Sequence, residues 1–355
     1  KDTLARLRTL ATVNCIITGT KREYYLCADS VERGSLKSIQ RTIHQYSKSS
    51  KRKMMRYTFW HGRCDRSSDL HWLNEAEQSL RDDSFKTPLY VDGAGWSDDA
   101  IREEAAERLF GALGKNASAT NLIFQNATLS DSMDQAFSQA MDRNTELRCL
   151  TLRNLSRPAT LNGAANANNN NHHHRNQNTE TYVVPASVCL KPHLESLTLS
   201  KVSMTEQTCR NLGQMIRDST SLTSLTLDSV QIAREGLVSI LAAIIMSHSL
   251  KTLKLNNVEW SKRDIQRLLL AVSFNRAITK LNLEGMRLDA SDAQELANFL
   301  QRNKTVTELS LRKNCLTAEA LRVLVSQGVL HNSTLRKLFV SRNPLGDPSA
   351  PHLVH

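Results

Sequence analysis

The sequence predicts an α/β solenoid, in which short parallel strands and helices alternate along the chain and stack repeat upon repeat. Two observations predict it. An LxxLxL pattern recurs with a spacing of mostly 28 residues, and apolar residues with helical periodicity follow the later copies. A fixed period of this length is typical of stacked supersecondary units, each of which buries its apolar face only against its neighbours.

The middle leucine of each LxxLxL copy marks a strand. Successive spacings between these leucines are 28, 47, 28, 28, 28, 28 and 29 residues, and the long interval contains an Asn- and His-rich tract at 162–180. This tract is too polar to bury a face, so we expect it to be a disordered insertion. The aligned leucines are Leu122, Leu150, Leu197, Leu225, Leu253, Leu281, Leu309 and Leu338, with a weaker ninth copy at Leu89. They predict eight to nine repeats over 87–347.

The two faces of each strand and helix follow from side-chain periodicity. In a strand, Leu197 and Leu199 should point inward and Thr198 outward, because successive side chains alternate. In the helix that follows a strand, one apolar stripe should pack against the strand layer. Two such stripes are Leu237, Ile240, Leu241, Ile244 and Ile265, Leu268, Leu269, Val272.

An Asn or Ser stands six residues before most of the aligned leucines, where the preceding helix should end. Asn tolerates the left-handed backbone that closes many helices, so we predict this conformation there. The same explanation is preferred to glycosylation for the three positions that begin Asn-x-Ser/Thr sequons. The positions are Asn116, Asn144, Ser219, Ser247, Asn275, Asn303 and Asn332, of which Asn116, Asn303 and Asn332 begin sequons.

A 28-residue period with LxxLxL strands and full helices resembles the ribonuclease-inhibitor-like class of leucine-rich repeats. The resemblance covers about residues 87–347 and implies a horseshoe with parallel strands on the concave face and helices on the convex face. The class expects Asn or Cys three places after the second strand leucine. Asn314 and Asn343 match, whereas Val202, Val230 and Val258 do not, so a continuous asparagine ladder is not expected at that place.

The concave face is the predicted binding surface, since solenoids of this kind bind partners there. Its C-terminal third combines both charges with an aromatic residue, a composition typical of interface hot spots. The alternative is that these are solvated strand positions, with Phe339 packed beneath a missing terminal cap. The predicted partner-binding residues are Arg153, Lys254, Lys280, Glu284, Glu308, Arg312, Lys337 and Phe339.

No catalytic motif is found in the sequence. It contains neither GxxxxGK[ST] nor HExxH nor GxSxG. The run His172, His173 and His174 has no carboxylate or thiol at ligand spacing, so we expect no metal site and no cofactor. These observations favour a non-catalytic protein.

Residues 1–86 show no repeat and carry an excess of Lys and Arg over Asp and Glu. A basic patch is followed directly by Tyr57, Phe59 and Trp60. It suggests a solvated loop beside an N-terminal cap or, alternatively, attachment to nucleic acid or an anionic membrane. The patch consists of Lys48, Lys51, Arg52, Lys53 and Arg56.

The seven cysteines are scattered and form no CxxC pair, which predicts reduced thiols and a cytoplasmic or nuclear location. The longest apolar run is too short to span a bilayer. The leading functional hypothesis is a monomeric scaffold that binds another protein. The alternative is a regulator of a small GTPase, resembling the Ran GTPase-activating protein, although the long acidic tail usual in that family is not found here.

The last strand motif is followed by Pro344, Pro348 and Pro351, which prevent a further helix and leave 348–355 as a tail. The last layer should therefore expose an apolar edge, which a longer natural chain or a partner would cover. We expect this edge around Leu321, Leu324, Leu338 and Val340.

Overall fold

A computed structural model of the chain describes residues 13–18, 21–26, 74, 76–84, 88–93, 99–159, 179–191 and 193–345. The chain divides into two compact units, Lys1–Thr58 and Phe59–His355. In the first unit, β1 (Val13–Thr18) pairs antiparallel with β2 (Lys21–Leu26). The predicted basic patch at 48–56 and the tail at 348–355 lie outside the described residues.

The second unit is built on a parallel sheet with nine described strands. Neighbouring strands pair in register one repeat apart, so that Leu225 lies opposite Leu197 on one side and Leu253 on the other. β6, β7, β9 and β11 lie outside this sheet. The strands are β3 (Leu89–Asp92), β4 (Asn121–Gln125), β5 (Cys149–Arg153), β6 (Ser156–Pro158), β7 (Thr179–Thr181), β8 (Ser196–Ser200), β9 (Ser203–Met204), β10 (Ser224–Asp228), β11 (Gln231–Ile232), β12 (Thr252–Asn256), β13 (Lys280–Asn282), β14 (Glu308–Ser310) and β15 (Lys337–Phe339).

A helix follows most strands of the sheet and packs its apolar stripe against it. The two stripes predicted from the sequence are buried, in α4 and α5. The second unit is therefore a leucine-rich-repeat solenoid, with parallel strands on the concave face and helices on the convex face, as predicted. The helices are α1 (Asp99–Leu113), α2 (Asp131–Arg143), α3 (Glu206–Asp218), α4 (Arg234–Met246), α5 (Lys262–Phe274), α6 (Ala293–Arg302) and α7 (Ala318–Val323), with 3-10 turns at Ala186–Leu190, Ala290–Asp292 and Val329–His331 and a π turn at Leu324–Gly328.

The prediction of left-handed helix ends is wrong. The capping residues are extended, with φ −72° and ψ 125° at Asn144 and φ −67° and ψ 138° at Asn275. Their role lies in the side chain, because the amide of Asn144 donates to the carbonyl oxygens of Leu113 and Asn116 in the preceding repeat. Its Oδ1 accepts two backbone N–H groups of its own loop. Each capping asparagine thus joins two repeats, whereas the side chains of Ser219 and Ser247 bond, among the described residues, only within their own loops.

Left-handed backbone occurs instead four residues after each aligned leucine, where the strand ends. Asn126 and Asn257, for example, have φ near 50°. Their N–H groups donate to the carbonyls of Arg153 and Glu284 in the next repeat. This position therefore adds one hydrogen bond to the strand pairing. The residues in this row are Asn126, Asn154, Lys201, Ser229, Asn257, Gly285, Lys313 and Arg342.

The asparagines of the family pattern act only in the last repeats. Asn314 donates to the carbonyl of Leu283 at 2.8 Å, and Asn343 donates to that of Leu311 at 2.8 Å. Val202, Val230 and Val258 are buried at the equivalent position in earlier repeats. The turn that follows each strand is therefore polar inside at the C-terminal end of the array and apolar inside in its middle.

The segments that flank the predicted insertion are held firmly. β6 pairs antiparallel with β7, so Thr179 and Glu180, assigned to the disordered insertion, lie in a strand. The prediction is wrong for these two residues because the ladder satisfies their backbone groups; 162–178 lie outside the described residues. Behind the ladder, the hydroxyl of Tyr182 donates to Asp134 of α2 at 2.5 Å.

The predicted exposed edge at the C-terminal end needs correction. Leu321 and Leu324 are 4% and 1% exposed, because Leu335, Leu338, Val340 and Leu345 pack against the core from the final repeat. Leu338 and Val340 themselves are half-buried. The exposed edge thus consists of the last strand, and the last helix lies beneath it.

Candidate interaction surface on the concave face

The outward side chains of β10 and β12–β15 line an open groove of about 410 Å³. Strand alternation places them there, since the inward neighbours Leu253, Leu281 and Leu309 are buried. The groove brings together six of the eight predicted partner-binding residues. Its lining is Ser224, Thr252, Lys254, Lys280, Leu281, Asn282, Glu284, Glu308, Ser310, Arg312 and Phe339.

An aromatic side chain and a guanidinium form one end of the groove. Arg312 lies over the ring of Phe339, with 4.6 Å between its Cζ and the ring centroid. This cation–π contact holds two adjacent strands together and orients the ring. Phe339 is half-buried, so part of its face stays available to a partner.

Two carboxylates in the groove are each held by cations. Glu308 lies between Lys337 and Lys280, at 3.0 and 3.3 Å, and these lysines lower the pKa of its carboxyl. Glu284 pairs with Lys313 at 2.7 Å. Both carboxylates are therefore engaged in ion pairs, and the cations outnumber them.

Lys254 differs from the other lysines of the groove. It is exposed on β12 and makes no ion pair or hydrogen bond among the residues that the structure describes. Its ammonium group is a free cation toward the end of the groove opposite Phe339, where Ser224 and Thr252 supply hydroxyl groups. An anionic group of a partner would find an unengaged counter-charge there.

Arg153 lies apart from the groove. It is exposed at the end of β5, and β8 and β10 lie between that strand and β12. Farther toward the N-terminal end, Gln125 donates to Tyr90 Oη at 2.6 Å and to Asp92 at 2.9 Å. The outward residues of that end are therefore engaged with one another.

Metal ligands do not converge in the described part of the chain. No cluster of three or more His, Cys, Asp or Glu side chains that could hold a metal ion is found there; His172, His173 and His174 lie outside it. Cys189 and Cys209 are free thiols, and burial raises their pKa to about 12 and about 11. Among the same residues, no helix has the length and apolarity needed to cross a membrane.

The sequence analysis missed an exposed apolar group on the convex face. Val238, Ile245 and Met246 of α4 and Leu270 and Phe274 of α5 are between 42% and 59% exposed. A signal was present, because the segment 237–246 is apolar on every side, and a helix of this kind is normally buried all round. The search for a single apolar stripe overlooked it.

Comparison with solved structures finds similar chains of low sequence identity. A structural-genomics protein from Bacteroides fragilis is 12% identical, with 93% of this chain and 88% of that chain covered and a TM-score of 0.49. The leucine-rich repeat-containing protein LegL7 from Legionella pneumophila is 13% identical, with 79% and 89% covered and a TM-score of 0.42. The C-terminal domain of tropomodulin from Caenorhabditis elegans is 12% identical, with 57% and 92% covered and a TM-score of 0.32.

Since every one of these TM-scores is below 0.5, the assignment of the fold rests on the strand register and repeat spacing of this chain. No protein-family model matches the sequence, and the comparison with curated proteins gave no match.

Proposed function

We propose that this protein is a non-catalytic scaffold that binds a protein partner in the groove between β10 and β15. The observation that carries the proposal is the pair Arg312 and Phe339, a stacked cation and aromatic at the end of an open, polar-rimmed groove. Arg and aromatic residues dominate the binding energy of many protein interfaces, where polar surroundings exclude water from them.

The charges of the groove favour an acidic partner segment. Within the described part of the chain, its carboxylates Glu284 and Glu308 are already paired, whereas Lys254 is free and the Arg312 side chain is engaged only with the ring of Phe339. An extended segment with an acidic side chain near Lys254 and an apolar side chain on Phe339 would satisfy both ends. The strands lie about 4.8 Å apart, so β12 and β15 are roughly 14 Å apart, a distance spanned by four or five extended residues.

We also propose a leucine-rich-repeat class and a cellular compartment for this protein. The 28-residue period with a full helix supports the ribonuclease-inhibitor-like class. The free thiols of Cys149, Cys189, Cys209 and Cys315 support a reducing compartment, the cytoplasm or the nucleus. We propose that the protein acts as a monomer there.

The test is quantitative affinity capture with the full chain, followed by titration of the purified partner. Lys254→Glu and Phe339→Ala should each weaken binding, by roughly 30-fold if the residue is a hot spot. Arg263→Ala, an exposed and unpaired site on α5, is the matched control. Unchanged capture by both groove variants, each still folded by circular dichroism, would contradict the proposal. Faster GTP hydrolysis by a captured small GTPase would favour the regulator instead.

A further inference from the structure

One edge of the solenoid, which we name the basic edge, contains no acidic residue through four consecutive repeats. It comprises 241–251, 268–279, 296–307 and 324–336, each running from within a helical segment to the residue before the next strand. Its cations are Lys251, Arg276, Arg302, Lys304 and Arg336, accompanied by His248 and His331. In a chain with 35 Asp and Glu residues, these four segments carry formal charge of one sign only.

The four segments lie side by side because their loops are hydrogen-bonded to one another. Asn275 donates to the carbonyl of Ser247 at 2.8 Å, and Asn332 donates to that of Asn303 at 3.0 Å. At the strand side of the loops, the N–H of Thr279 donates to Lys251 O at 2.9 Å. Equivalent side chains of successive repeats therefore form rows along one edge.

Large apolar side chains are exposed among these cations. Met246 is 55% exposed, Phe274 59% and Leu330 74%, and each lies at or near the end of the helical segment of its repeat. Leu270 and Ile245 extend the apolar surface of Met246 and Phe274 onto α4 and α5, whereas Leu330 lies two repeats beyond Phe274. Soluble monomers seldom keep an apolar group such as that of α4 and α5 at the surface without a use for it.

Helix dipoles explain only part of this arrangement. Arg302 lies in the last turn of α6, where a cation compensates the negative end of the helix. Lys251, Arg276 and Lys304 lie beyond the capping residues, and none of them makes an ion pair among the residues described. The exposed Phe274 and Leu330 gain nothing from a dipole.

We propose that the basic edge docks on an anionic lipid bilayer. Its cations would lie among the phospholipid headgroups, while Phe274, Met246 and Leu330 enter the boundary between headgroups and acyl chains. The aliphatic side chains favour lipid over nucleic acid, which rewards stacking on aromatic rings. The site differs from the concave groove, where Lys280 and Lys337 begin their strands and pair with Glu308.

Flotation of the full chain with vesicles tests the proposal. The chain should bind vesicles that contain phosphatidylcholine and phosphatidylserine, and should bind phosphatidylcholine vesicles far less. Arg276→Gln with Lys304→Gln should weaken binding roughly 25-fold, at about fivefold for each cation lost. Phe274→Ser should weaken binding to the same anionic vesicles, and Phe274→Trp should gain emission that brominated lipid quenches.

The matched control removes two cations from the other ends of α4 and α5. Arg234→Gln with Arg263→Gln changes the net charge equally, at exposed positions roughly 20 Å from the edge, about twice the screening length at 0.1 M salt. It should bind as the unmodified chain does. All five side chains changed in the vesicle variants and in this control are exposed, and circular dichroism checks that each variant is folded.

Four results would overturn the proposal. Three are the absence of vesicle binding, equal binding to neutral and anionic vesicles, and equal binding by the control and the Arg276 and Lys304 variant. The fourth is preference for a single-stranded oligonucleotide or a polyglutamate peptide over the anionic vesicles, which would favour a different polyanion. The groove variants Lys254→Glu and Phe339→Ala should float normally, so the two proposals can fail separately.

Discussion

Lys191 occupies the position at which other repeats carry the asparagine that joins one loop to the next. Its buried ammonium group donates to the carbonyl of Asn144, as the amide of Asn144 donates to the carbonyl of Asn116. Lysine has no acceptor, so it cannot receive the two N–H groups that an asparagine Oδ1 receives in its own loop. We expect Lys191→Asn to stabilise the fold.

The expected stabilisation by Lys191→Asn follows from the hydrogen bonds gained and the buried charge removed. Leu194 N–H, now 3.4 Å from the carbonyl of Lys191, would gain a side-chain acceptor, as Leu147 N–H has at 2.9 Å in the preceding repeat. Each added hydrogen bond contributes about 1 kcal/mol, and a buried ammonium no longer needs desolvation. We therefore expect Lys191→Asn to raise the free energy of unfolding by about 2 kcal/mol, which raises Tm by roughly 4–8 °C.

The pH dependence offers a second readout. Burial lowers the pKa of Lys191 below its ordinary value of 10.5, so the unfolded chain binds this proton more tightly than the folded chain. Stability should rise as pH increases from the folded pKa toward 10.5, because the folded state sheds the unfavourable charge. The advantage of Lys191→Asn should therefore shrink in alkaline buffer.

Urea unfolding followed by circular dichroism, at neutral pH and near pH 10, measures both effects. Lys191→Met is the control, since it removes the charge without supplying the amide. The reasoning is refuted if Lys191→Asn is no more stable than Lys191→Met, or if its advantage grows as the pH rises.

Three other changes test the packing and the insertion. Leu253→Asp should lower the urea midpoint severely or abolish folding, because Leu253 is fully buried between Leu225 and Leu281; an unchanged midpoint would contradict the inward assignment. Replacing 160–177 with Asn-Gly should leave thermal unfolding cooperative, since the pairing of Pro158 with Thr179 brings the ends together; loss of cooperativity would give the insertion a structural role. Gly236→Ala should destabilise the fold, since its Cβ would lie 2.4 Å from that of Cys209. Gly111→Ala, in open space on α1, should stabilise the fold by about 0.5–1 kcal/mol. Equal shifts of Tm for the two variants would show that the contact between α3 and α4 at Gly236 is looser than described.

The strand register was predictable because the spacing of the aligned leucines reflects which residues must be buried. Leu197, Leu225 and Leu253 align in the sequence and pair in the sheet, since each repeat can bury its leucines only against the next. The outward residues of the groove followed from alternation alone. Which of them are engaged was not predictable, because the ion pairs of Glu308 and Glu284 depend on side-chain conformations across strands.

The row of left-handed residues could have been predicted from the sequence, but the left-handed conformation was predicted for the helix ends instead. Asn126, Asn154, Asn257 and Gly285 stand four places after the aligned leucine and are residues that tolerate positive φ. Lys201 and Arg342 occupy the same place and hide the pattern. The capping asparagines attracted the left-handed explanation, although their side chains act between repeats and their backbone is extended.

The row of left-handed residues has a consequence for the evolution of the array. Every N–H in the row except that of Arg342 donates to a carbonyl of the following repeat. The acceptor is the residue just before the next member of the row, as in the bonds from Lys201 to Asp228 and from Asn257 to Glu284. A duplicated 28-residue unit would therefore meet partners of the right geometry on both sides without any compensating change. The number of repeats could therefore change by duplication alone. Each added repeat would lengthen the basic edge and raise, by one increment, the avidity that we propose for an anionic surface.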